Sequence, residues 1–169
     1  MKLPNHVEPQ PANLATDRPE IAKQLGEICC QWANLEATLG QVFANLLLAT
    51  PLIASEILEN IYDSRQKRNA VANLAKYRVA DSTDRTALLS LLSEYQTLAV
   101  TRSKYVHGRW LIDQKVYPNH AIWVRRVNPR WSYEAELVDE TLLADVASKI
   151  FQLRKKFFTL MDKDFIARL

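Results

Sequence analysis

Arg102 and His107 are the residues whose types and spacing best suit chemistry. A His side chain titrates near neutrality and can take and return a proton, while Arg stays charged and grips phosphate through paired donors. Together they supply what RNA cleavage without a metal requires. A base takes the 2′-hydroxyl proton and a fixed cation stabilises the charge gathering on the phosphate, leaving a 2′,3′-cyclic phosphate and a free 5′-hydroxyl. His107 is the predicted general base and Arg102 the phosphate and transition-state stabiliser. Ser103, one helical turn before His107, is a supporting candidate that hydrogen-bonds either the phosphate or the backbone. Five residues at 100° each put Arg102 and His107 about 140° apart around a regular helix. That spacing predicts that one chain does not aim both side chains at one phosphate and that a second copy completes the site.

The pair lies in the most basic part of the chain. Between Arg102 and Arg130 the cations Arg102, Lys104, Arg109, Lys115, Arg125, Arg126 and Arg130 face one acid, Asp113, although the whole chain carries only +3. Tyr105, Trp110, Tyr117, Trp123 and Trp131 are interleaved with them, a mixture that suits single-stranded nucleic acid by stacking plus phosphate contact. Lys104, Arg109, Arg125 and Arg126 are the predicted phosphate contacts, together with Arg65 and Arg68 from a second basic run. The competing structural reading makes the same alternation a hairpin with cations outside and aromatic residues in the core. Glu36 falls on the apolar stripe of the first helix, where a carboxylate needs a cationic partner; Arg102, Arg65 and Arg68 are the candidates, and positioning outweighs proton transfer as its role.

The elements that must hold these residues are mostly helical, since three glycines in 169 residues leave little turn chemistry for a β-rich fold. Ile21, Leu25, Ile28, Trp32, Leu35, Leu39, Val42 and Leu46 recur at three- and four-residue steps, predicting a helix over about 18–48 with Asp17 as its cap. Thr50-Pro51 opens a second helix that breaks or bends at Asp63-Ser64. Ser82-Thr83-Asp84 opens a long helix through Tyr105, expected to close at Gly108 with that glycine left-handed. Alternation then replaces the helical period, predicting a small antiparallel β insert over about 109–138, and Asp139 caps a last helix running through Leu160. Residues 1–16, with Pro4, Pro9 and Pro11, read as a flexible arm, and 17–169 as a single domain.

At 48% hydrophobic and 24% charged residues the chain has an ordinary globular composition, which excludes disorder and low complexity. No apolar run approaches the ~20 residues of a membrane span, and Met1-Lys2-Leu3-Pro4-Asn5-His6 lacks a signal-peptide core, so a cytoplasmic protein without a membrane role is expected. Cys29 and Cys30 are adjacent and expected in the core; with three scattered His they offer no disulfide framework and no metal site, and no cofactor is implied.

The element Arg102-Ser-Lys-Tyr-Val-His107, ending a long helix, resembles the R-x(4–6)-H signature of the HEPN superfamily, and the first helix with Trp32-x-x-Leu35-Glu36-x-x-Leu39 fits the same architecture. The resemblance implies a mainly α, antiparallel bundle of four to five helices, dimerising with two Arg…His elements across a two-fold axis. It also implies a metal-independent endoribonuclease acting on single-stranded RNA, in toxin–antitoxin or defence settings where a partner protein restrains it. Ser103 stands where the family often has Asn, and Arg109 where the toxin-type pattern has Tyr. A non-catalytic RNA-, nucleotide- or protein-binding module therefore stands as the alternative.

Overall fold

A computed structural model describes residues 10–128 and 132–162, with side-chain environments for all of these except 126–128, 132 and 133. The chain is mainly helical with one small antiparallel sheet. In order it runs β1 (Gln10–Pro11), α1 (Leu14–Asp17), α2 (Pro19–Leu47), α3 (Pro51–Glu59), α4 (Ser64–Arg78), α5 (Ser82–Val106), β2 (Arg109–Ile112), β3 (Ala121–Asn128), β4 (Ser132–Val138) and α6 (Glu140–Met161). No single helix among the described residues is long and apolar enough to cross a membrane. Two compact units emerge, Met1–Cys30 with Thr101–Ala147 and Gln31–Val100 with Ser148–Leu169. Their boundaries fall inside α2, α5 and α6, which is why no linker in the sequence marks them.

Local chemistry accounts for most helix ends. The Asp63 carboxylate accepts the N–H groups of Arg65 and Gln66, and that cap separates α3 from α4. Asp81, one residue earlier than expected, does the same for Thr83 and Asp84, and these backbone bonds hold its carboxyl below the usual range. Asp139 caps α6 through the Leu142 N–H. Asp17, however, ends the one-turn helix α1, where its carboxylate accepts from the Asn13 N–H instead of capping α2.

In the first unit the sheet is a meander in the order β1-β2-β3-β4. Residues 10–16, expected to lack structure, carry an edge strand and a helical turn: Gln10 pairs with Ile112 and Pro11 with Leu111. Pro11, which has no N–H to give, fits an edge position. One sheet face packs Ile122, Val124 and Ala135 against Leu111, Tyr117 and Leu137. Within the insert predicted over about 109–138, the first strand ends at Ile112, and the Asp113 carboxylate turns the chain by accepting from the Lys115 and Val116 N–H groups. Arg18 fixes that turn by donating to the carbonyls of Tyr117 and His120.

In the second unit the predicted stripe of α2, from Trp32 through Leu35, Leu39, Val42 and Leu46, is buried, as are Leu88, Leu92 and Tyr95 of α5 and Ile150, Leu153 and Phe157 of α6. Trp32 and Tyr95 stack with centroids 5.0 Å apart. Cys29 is half-buried and Cys30 exposed, so the pair does not fill the core. Helix α2 closes with Ala49 N–H on the Ala44 carbonyl and Leu48 N–H on that of Asn45, a pattern that puts Leu48 in the left-handed region at φ 55°. Leu48 is 60% exposed, so packing does not repay that strain. Leu48→Gly is expected to stabilise the chain by about 1 kcal/mol, raising Tm by about 2–4 °C in a thermal melt; a lower Tm would show that the leucine side chain contributes to folding.

Candidate functional site

The last two turns of α5 carry the site. His107 lies one residue past the helix, its N–H still donating to the Ser103 carbonyl at 3.1 Å. Arg102 Nη1 reaches His107 Nε2 at 3.2 Å, so one chain does bring the two side chains together. The angular argument against this counts Cα directions on a regular helix. It fails because His107 has left the helix and because a guanidinium at the end of a long side chain sweeps across that angle. A guanidinium only donates, so His107 Nε2 holds a lone pair and the ring proton of the neutral imidazole sits on Nδ1. Arg102 is half-buried, and its Nε has no hydrogen-bond partner among the described residues. Ser103 and His107 are exposed.

The sheet holds this helix end in place. The final carbonyls of a helix have no helical N–H to meet; here Trp123 Nε1–H donates to the Lys104 carbonyl at 2.7 Å and Trp110 Nε1–H to that of Tyr105 at 3.2 Å. The need for glycine at 108 follows from the first bond. Among the described residues no glycine has positive φ, so Gly108 is not left-handed as expected. A Cβ at 108 would sit 1.7 Å from Trp123 Nε1, inside the space the indole occupies. The second tie is polar: Lys104 Nζ pairs with Glu136 Oε2 and lies 4.9 Å and 4.8 Å from the ring centroids of Tyr105 and Trp123, while the Tyr105 hydroxyl donates to Glu136 Oε1 at 3.2 Å.

These bonds reassign several predicted contacts. Lys104 is committed to Glu136 and does not serve as a free phosphate ligand. Tyr105 is 4% and Trp123 3% exposed, too buried to stack on a base, and the indole N–H of half-buried Trp110 is spent on the helix. For these aromatic residues the core reading holds. Arg109 is exposed at the start of β2, and Arg125 is exposed and lies opposite Glu134 in the β3–β4 register. The side chain of Arg126, Arg130 and Trp131 lie outside the described residues. Glu36 and the α4 cations belong to the second unit, where Glu36 Oε1 accepts from Lys67 Nζ at 3.2 Å and from the Tyr95 hydroxyl at 3.3 Å. Lys67 is thus the partner, in place of the three arginines expected, and Glu36 is structural. Arg68 donates to Asn69, and Arg65 is exposed.

Sequence reasoning missed Trp110, Trp123 and Glu136 as the positioning set. The available signal was a glycine directly after a helix end, followed by Trp residues on two paired strands. Among the described residues no three His, Cys, Asp or Glu side chains gather closely enough to hold a metal ion. No family model, curated protein or solved structure matches the chain.

The Glu136 cluster makes alkaline stability sensitive to charge. Burial pulls the Lys104 ammonium down, but the Glu136 hydrogen bond, together with the charges of Tyr105 and Glu136, outweighs it and leaves the group above its usual 10.5. Burial, reinforced by the Glu136 charge, lifts the Tyr105 hydroxyl above its usual 10.0. Both groups hold protons more tightly folded than unfolded, so stability is lost as pH rises above about 10 through the folded values. Denaturant midpoints measured from about pH 8 to pH 11 should fall less steeply for Glu136→Gln than for wild type; equal slopes would remove Glu136 from this role.

Proposed function

We propose that the chain is a metal-independent endoribonuclease of HEPN type, acting on single-stranded RNA with Arg102 and His107 in its site. The observation that carries the reading is the 3.2 Å approach of Arg102 Nη1 to His107 Nε2 at an exposed helix end. An RNA phosphate arriving there competes for the guanidinium, whose charge-assisted bonds to phosphate are stronger than one to a neutral ring nitrogen. The Nε2 lone pair is then released to take the 2′-hydroxyl proton. The 2′-oxygen bonds to phosphorus, the bond to the 5′-oxygen breaks, and the guanidinium stabilises the charge on the non-bridging oxygens between these events.

The departing 5′-oxygen needs a proton, and one chain offers one imidazole at this site. A second copy, facing the first across a two-fold axis, supplies an imidazolium for that step and juxtaposes the two Arg102 side chains, which an anion between them relieves. Ser103, exposed one helical turn before His107, takes the supporting role of donating to the same phosphate in this reading. Toxin–antitoxin or defence biology, with a restraining partner protein, is the setting that this reading carries with it. Anion or RNA binding without cleavage is the second reading, and it has its own support: in the unliganded site the lone pair a base needs is already engaged by Arg102.

Wild-type protein incubated in EDTA with labelled single-stranded RNA is expected to give products ending in a 2′,3′-cyclic phosphate. His107→Ala and Arg102→Ala should each lower the rate at least about 100-fold while largely retaining salt-sensitive binding. Cleavage by His107→Ala at the wild-type rate would refute the base; binding without cleavage by wild type would favour the second reading. In the same buffer, sedimentation at fixed ionic strength should show phosphate shifting the chain toward a dimer, and an unchanged monomer would overturn the two-copy site.

A further inference from the structure

Helix α4 of the second unit has a composition the Arg102 site does not use. Over Ser64–Arg78 it carries five cations, Arg65, Lys67, Arg68, Lys76 and Arg78, and no acid. Four of these are engaged within the unit: Lys67 with Glu36, Arg68 with Asn69, Lys76 with Asn73, and Arg78 with the Leu46 carbonyl at 2.9 Å. Arg65 and Lys76 are exposed. The buried residues Val71, Ala72 and Ala75 fix the inward side of the helix. At 100° per residue the exposed residues Arg65, Lys76, Asn69, Asn73, Gln66 and Tyr77 fall within an arc of about 120° on the other side.

That face consists of donors. Two cations lie about 17 Å apart along the axis, with two carboxamides between them, and the Asn69 and Asn73 oxygens accept from Arg68 and Lys76, which orders both amides. The nearest acid in sequence, Asp63, spends its carboxylate on the first N–H groups of the helix. Tyr77 on this face and Tyr62 just before the helix are 85% and 95% exposed, an unusual state for rings that gain most from burial. We propose that the outward face of α4 is a binding surface for single-stranded RNA, with Arg65 and Lys76 on phosphates, Asn69, Asn73 and Gln66 on phosphate or base edges, and Tyr62 and Tyr77 stacked on bases. Charge complementarity selects a polyanion, and the two bare rings select unpaired bases, because a duplex offers no open base face to stack on. The choice of RNA over single-stranded DNA rests on the nuclease reading; the surface itself does not.

The test uses the full chain with His107→Ala throughout, so that no RNA is cut. Labelled single-stranded RNA is titrated by fluorescence anisotropy over a range of salt. Arg65→Ala with Lys76→Ala is expected to flatten the slope of log affinity against log salt by about 1.4, the loss of two phosphate contacts. Tyr77→Ala is expected to weaken binding about fivefold or more, with Tyr77→Phe restoring it, because the ring face rather than the hydroxyl stacks. All these side chains are exposed, and unchanged melting confirms that each variant folds. Wild-type affinity and slope in the double variant overturn the proposal. So does tighter binding of duplex DNA than of single-stranded RNA, or an equal loss of heparin binding in Tyr77→Ala, which would mark a charge surface without base stacking. Failure of wild type to cleave RNA, with these losses intact, would sink the nuclease reading and leave the surface standing.

Discussion

The carbonyls that end helix α5 have no helical N–H groups left to meet, and the sheet supplies two indole donors in their place. Much of the first unit follows from this. The Trp123 indole must lie against the helix end, so residue 108 can have no Cβ. The strands must carry Trp110 and Trp123 directly across from one another, as the β2–β3 register does. Glu136 on β4, paired in register with Trp123, then meets Lys104 and Tyr105 and ties a third strand to the same turn. With its backbone held on one side, the turn presents Arg102, Ser103 and His107 on the other.

The second unit solves a similar problem with charge. Glu36 sits within an otherwise apolar stripe and is met by the Lys67 ammonium and the Tyr95 hydroxyl, which link α2, α4 and α5 through one carboxylate oxygen. Half-buried pairs of this kind cost desolvation and return geometry, since removing one partner strands the other. Helix α4 therefore fixes its inner side through Lys67 and Arg78 and leaves its outer side without acids. That division explains how so basic a helix packs at all.

The long elements were legible because burial imposes a period: Trp32 through Leu46, Leu88 through Leu98 and Leu143 through Leu160 mark α2, α5 and α6, while Asp139 marks a cap and Asp63-Ser64 a break. What escaped depends on contacts distant in sequence. Gln10 and Pro11 become a strand only because β2 offers an edge, and Arg18 orders a turn about a hundred residues away. Lys104 reads as a surface cation until Glu136 arrives across 32 residues. Glu36 demanded a cation, but the choice of Lys67 over its arginine neighbours is set by how α4 is rotated. The Arg102–His107 pair was visible as types and spacing, whereas the meeting of the two side chains depended on where the helix stops.

The bond between Arg102 and His107 makes a specific statement about one nitrogen. The chain has three His, so the ring resonances of His107 can be assigned by substitution and followed by nitrogen-15 NMR. In the neutral, unliganded protein Nε2 should report an acceptor and Nδ1 the proton; adding RNA with 2′-O-methyl sugars, which binds but cannot be cut, should shift Nε2 as the phosphate draws Arg102 away, with His120 unmoved. A proton on Nε2 in the free protein, or a His107 ring indifferent to bound RNA, would contradict the account.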